Sequence, residues 1–107
     1  MNLTEARLVL QCRRPIKPSD IWLNMKLYGF SYTINYLYSK LSNMAKQKIL
    51  VKREINDGGK VGRTTYYTAT QENVIEALNV IEAHALQKIR SGVVVARISD
   101  YIHSMRS

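Results

Sequence analysis

The stretch GFSYTINYLYSKLSNMAKQKILVKREINDGGKVGRTTYYTA, residues 29–69, decides the fold. Ile34, Leu37, Leu41 and Met44 recur at helical spacing, so the first part reads as an amphipathic helix, opened by Ser31 or Thr33 and running to about Gln47. From Ile49 the period falls towards two, the signature of a strand. Asp57-Gly58-Gly59 is a turn signal, and it lies between two β-rich runs, 49–55 and 63–69. The two runs form a hairpin whose long loop carries Lys60 and closes on Arg63. The order is helix, strand, basic loop, strand.

Upstream, Thr4 and Glu5 open a short helix over 5–13, which Pro15 stops. Arg14 to Pro18 is extended, an edge strand at best because it holds two prolines. Ser19 caps a second helix over 20–28, in which Trp22 is a core anchor, and Gly29 ends it in the left-handed conformation. Downstream, Thr70 caps a long helix in which apolar residues cover about two thirds of the circumference, where a surface helix needs only one stripe. Ser91-Gly92 breaks it. Val94, Ile98, Tyr101, Ile102 and Met105 mark a final amphipathic helix.

These elements assemble into a mainly α protein with a small β-hairpin: a winged helix-turn-helix over residues 1–70, and a C-terminal helical extension, 71–107, packed on the same domain. The stretch Leu41 to Arg53, with Leu41, Met44, Ile49, Leu50 and Lys52 as its fixed points, resembles the winged helix-turn-helix regulators of the MarR, ArsR and PadR kind, as does Arg63-Thr64-Thr65-Tyr66-Tyr67-Thr68-Ala69-Thr70. The resemblance covers about residues 14–70 and implies a DNA-binding regulator. Lys48 stands where that pattern has glycine, so the central helix is expected to close differently.

Charge supports the same reading. The chain has 107 residues and a net charge of +8. Residues 1–37 hold five Lys/Arg against two Asp/Glu, residues 38–70 seven against two, and residues 71–107 four against four. The excess is confined to the first two thirds, a polyanion-binding lobe beside a neutral one.

The helix at 33–47 is the expected recognition helix and residues 56–63 the wing. Tyr32, Thr33, Asn35, Tyr36, Ser39, Lys40 and Asn43 lie opposite the apolar stripe. Asn pairs with adenine and Lys donates to guanine, whereas Tyr and Ser more often reach phosphate. A merely solvated face usually mixes in acids, and residues 21–53 contain none. Lys60 and Arg63 are the wing contacts. Of the clustered tyrosines, Tyr38 is expected in the core beside Leu37 and Leu41, and Tyr36 on the DNA.

The surplus apolar surface of the C-terminal helices implies a homodimer through Leu78, Ile81, Ala85, Ile89, Ile98 and Ile102. A fold-back within one chain is the alternative. The lone Cys12 excludes an internal disulfide and a cysteine-rich zinc site, and His84 and His103 have no nearby cysteine or paired acids, so they make a poor metal site. No triad or phosphate-loop pattern is present, so neither enzyme nor cofactor is expected. With no long apolar run and no leader-like start, a cytoplasmic protein that contacts no membrane is expected. The reading is a sequence-specific double-stranded-DNA-binding regulator. Its rivals are a winged helix used for protein–protein interaction and a DNA-binding accessory in replication or partition.

Overall fold

The computed structural model describes residues 1–56 and 62–90. The order is α1 (Leu3–Gln11), α2 (Pro18–Leu27), α3 (Ile34–Lys46), β1 (Val51–Asn56), β2 (Arg63–Thr68) and α4 (Gln71–Arg90). The strands pair antiparallel, from Val51 opposite Thr68 to Asn56 opposite Arg63. Ile16 adds a single-residue bridge to Tyr67, with both backbone bonds made at 3.0 and 2.9 Å. The extended Arg14–Pro18 segment is thus an edge strand one residue long, because Pro15 and Pro18 have no N–H to extend the ladder. The fold is a winged helix-turn-helix with one long C-terminal helix among the described residues.

The core is the meeting point of the first three helices. Ala6, Leu8 and Val9 from α1, Ile21 and Met25 from α2, and Leu37, Leu41 and Met44 from α3 are buried, closed below by Leu50, Tyr67 and Ala77. Ile34, the expected start of the α3 stripe, is exposed in the first turn. Tyr38 is not a core residue; it is also exposed. One step along a helix turns a side chain through about 100°, so lying next to Leu37 in sequence carries Tyr38 off the buried face. Trp22 is half-buried and donates its indole N–H to the Tyr32 carbonyl at 2.8 Å, pinning the α2–α3 turn.

Two helix starts differ from expectation. The cap of α1 is Asn2, not Thr4. Asn2 Oδ1 accepts from the Glu5 N–H at 2.8 Å, and Glu5 Oε1 accepts from the Asn2 N–H at 3.0 Å, a reciprocal capping box. The cap of α2 is Lys17, not Ser19, because Pro18 takes the first helical position, where its missing N–H costs nothing. Thr33 and Thr70 cap α3 and α4 through their hydroxyls, as the sequence implies.

Helices α2 and α3 end in the same way. Phe30 N–H donates to Met25 O and Gly29 N–H to Lys26 O; Ile49 N–H donates to Met44 O and Lys48 N–H to Ala45 O. Both are Schellman closures. Gly29 has φ +92°, and Lys48 takes the left-handed position with φ +63°. The closure at Lys48 is therefore the glycine type, adopted by a residue that carries a Cβ, and not a different one. A left-handed non-glycine residue costs about 1–2 kcal/mol, and the extra freedom of glycine in the unfolded chain offsets about 0.4–1 kcal/mol of any relief. Lys48→Gly is expected to stabilise the protein by about 0.5–1 kcal/mol in urea unfolding, by the difference of those two terms. Lys48→Ala should match the parent. A destabilised Lys48→Gly would contradict the strain.

Helix α4 lies along α1. Ala77 is buried, and Val74, Val80 and Ile81 pack against the core. Asn73 Nδ2 donates to the Ile49 carbonyl at 3.0 Å, tying the start of α4 to the α3–β1 turn. Ile75, Leu78 and Leu86 face outward. The final helix expected from Val94 to Met105, with Ile98 and Ile102, lies outside the described residues, as does Lys60 in the hairpin loop.

Candidate nucleic-acid interface

Helix α3 turns one polar face away from the core. Asn35, Tyr36, Ser39 and Asn43 are exposed on it, joined in the last turn by Lys46. Thr33 starts this face and spends its hydroxyl oxygen on the Tyr36 N–H at 3.1 Å. Tyr32 is half-buried in a stack, its ring centroid 6.1 Å from that of Phe30 and 5.5 Å from that of Tyr36. The stack continues to α1, where the Arg7 guanidinium lies 4.3 Å from the Phe30 ring centre. Tyr36 is thereby held on the outer face and does not swing freely.

Lys40 lies apart from this group. It sits on the flank of α3 nearest α1, and its ammonium lies 3.4 Å from Glu5 Oε2.

On the other flank of α3 a groove of about 550 Å³ opens. Lys17, Pro18 and Ser19 from the start of α2, Tyr38 and Ser42 from α3, Lys52 from β1, and Arg63, Thr65 and Tyr67 from β2 line it. Three cations and the positive end of the α2 dipole converge there. Glu54 is the acid nearest them, 3.7 Å from Lys52 and 3.5 Å from Arg63. All three side chains are well exposed, so each pair is worth about 0–1 kcal/mol and a phosphate can displace it. Lys17 also lies over the Tyr66 ring at 6.0 Å.

Of the contact residues expected from the sequence, the structure gathers Asn35, Tyr36, Ser39 and Asn43 on one face and places Arg63 in the adjoining groove. Tyr32 and Thr33 support that face from its start. Lys17, Ser19, Tyr38, Ser42, Lys46 and Lys52 are additional candidates. The i, i+4 spacing of Tyr38 and Ser42 was the local signal for a second polar edge on α3. Nothing local marks the approach of Lys52 to the start of α2.

No group of His, Cys, Asp and Glu able to hold a metal occurs among the described residues. Burial pushes the Cys12 thiol up to about 12, far from a nucleophilic thiolate at neutral pH. No described helix is long and apolar enough to cross a membrane.

This architecture recurs in solved transcriptional regulators. A PadR family regulator from Eggerthella lenta superimposes with a TM-score of 0.70 at 19% identity, over 87% of this chain and 82% of that one. Bacillus subtilis PadR in complex with operator DNA gives 0.64 at 18%, over 76% of this chain and 47% of that chain, so this chain matches about half of its length. A PadR family regulator from Clostridium difficile gives 0.64 at 15%, over 82% and 95%. At these identities the likeness is one of fold, the PadR-type winged helix. No protein-family model matches the chain, and no curated protein sequence does.

Proposed function

We propose that this chain is a sequence-specific double-stranded-DNA-binding transcriptional regulator that acts as a homodimer in the cytoplasm, without catalytic activity. The observation that carries the reading is the acid-free outer face of α3 set beside the basic groove at the start of α2. The face presents two asparagines about two turns apart with Ser39 between them, suited to base edges, and the groove presents cations suited to the adjacent phosphates. The operator-bound state of the Bacillus subtilis structure supports the choice of DNA as partner. Residues 1–70 bind DNA in this reading, and α4 supplies the dimer surface.

The test is a gel shift on the protein's own upstream region, competed with random duplex. Specific sites are expected to bind about 10³–10⁷ times more tightly than random sequence. Equal competition by both would overturn sequence-specific regulation.

The groove makes its own prediction. Replacing Lys17, Lys52 and Arg63 with glutamine should weaken binding to all duplexes alike. It should also flatten the slope of log K against log salt by about 0.9 for each phosphate no longer neutralised, close to 3 units in all. An unchanged slope would remove the groove from the DNA-binding surface.

A further inference from the structure

Glu5 is the one buried charged side chain among the described residues. Its two oxygens have separate partners. Oε1 accepts from the Asn2 N–H in the α1 capping box, and Oε2 faces the Lys40 ammonium at 3.4 Å. The Asn2 hydrogen bond and then Lys40 hold its carboxyl below the usual carboxylate range against the opposing effect of burial. The Lys40 side chain is 24% exposed and that of Glu5 12%, so water reaches the pair from one side only. Lys40 is the cation on the α1 flank of α3, one turn from Tyr36 and Asn43, and α1 in turn carries α4.

We propose that Glu5 is a positioning residue: by holding Lys40 against α1 it keeps a lysine of the reading helix off the DNA backbone. The proposal rests on the reading of α3 as the helix that meets DNA. A lysine is long and flexible and forms a point contact with any phosphate, so a free Lys40 would add sequence-blind affinity beside a face built of asparagine and serine. Tethered, it leaves discrimination to the fixed polar side chains.

Glu5→Gln tests this without losing the helix cap, since glutamine serves equally well in a capping box. The variant should bind random duplex more tightly, with a salt slope steeper by about 0.9, one additional phosphate contact. The operator should gain by the same factor, about 3-fold more at low salt than at four-fold higher salt, so the operator-over-random ratio should stay at the parent's value. Glu5→Gln combined with Lys40→Met should return to the parent slope, and Lys40→Met alone should leave that slope unchanged. An unchanged slope in folded Glu5→Gln, or a slope shallower by about 0.9 in Lys40→Met, would overturn the proposal. The pairing itself is read without DNA. The Glu5 carboxyl, followed by NMR in the free protein, should titrate at higher pH in Lys40→Met. A midpoint that does not move overturns the tether even if the parent binds no duplex, a result that would separately overturn the DNA-binding reading.

Discussion

Asn35→Ala, Ser39→Ala and Asn43→Ala in one chain should cut discrimination between operator and random DNA by roughly 30-fold or more while leaving the fold as stable as the parent or slightly more so. All three side chains are exposed on the outer face of α3. Exposed substitutions usually move stability by under about 0.5 kcal/mol, and alanine is the best helix former, so the change in propensity runs in the stabilising direction. The loss in specific binding is of another size. Each bidentate asparagine–adenine contact is worth about 1–3 kcal/mol of discrimination, so two make about 2–6 kcal/mol, a factor of roughly 30 to 25,000. Random-duplex binding, carried by Lys17, Lys52 and Arg63, should persist at the parent's salt slope. The two readouts therefore separate along the two halves of the interface. A triple variant that still prefers the operator as the parent does would show that sequence is read elsewhere, and Tyr36 with the hairpin would be the next face to test.

Which face of α3 is buried and which is outward was legible because it depends on local rules. The 3.6-residue stripe of Leu37, Leu41 and Met44 fixes which side of α3 is buried, and the opposite side follows from geometry. Gly29, Thr33 and the switch to period two at Ile49 bracket the helix without help from the rest of the fold. What escaped the sequence is what depends on contacts distant along the chain. Glu5 and Lys40 are 35 positions apart, and no spacing rule joins them; only the fold brings the Lys40 ammonium within 3.4 Å of the Glu5 carboxylate. Lys48 is a different case. Its identity argued against a left-handed closure, but the hydrogen bonds from Lys48 and Ile49 back to Ala45 and Met44, with the turn into β1, outweigh about 1–2 kcal/mol of backbone cost.

Helix α4 shows the same limit from another side. A helix that is apolar over most of its circumference carries no phase in its sequence, since several stripes are equally good. The phase is set by α1. Ala77 and Ile81 turn towards α1 and the core, and Leu78 with Ile75 and Leu86 is left outside. Of the residues expected at a dimer surface, Leu78 is half exposed, Ala85 and Ile89 are partly covered, and Ile81 belongs to the packed side.

That phase gives the last prediction. Leu78→Glu with Leu86→Glu should convert a dimer into a folded monomer and weaken operator binding by about 10²–10⁴, the avidity that disappears when two linked half-sites become independent. Leu78 is 51% exposed and Leu86 47%, and with Ile75 they line an outward apolar strip of α4, the kind of surface a second copy would cover. A two-fold pairing along that strip would set two α3 helices about 34 Å apart, one turn of duplex, and so require a palindromic site. Glutamates placed in the strip would face their own copies across the axis, where like charges out of water are costly, while in the monomer they would be solvated. Ile81→Glu is the contrasting variant: it would bury a charge against the core and should lower thermal stability instead of only splitting the dimer. Sedimentation equilibrium at micromolar concentration, with thermal unfolding beside it, separates the two. A parent that sediments as a single chain would refute the dimer and leave the strip to be covered within one chain, whereas a dimeric parent, a folded monomeric Leu78→Glu/Leu86→Glu and an unstable Ile81→Glu together would fix the interface on the outer face of α4.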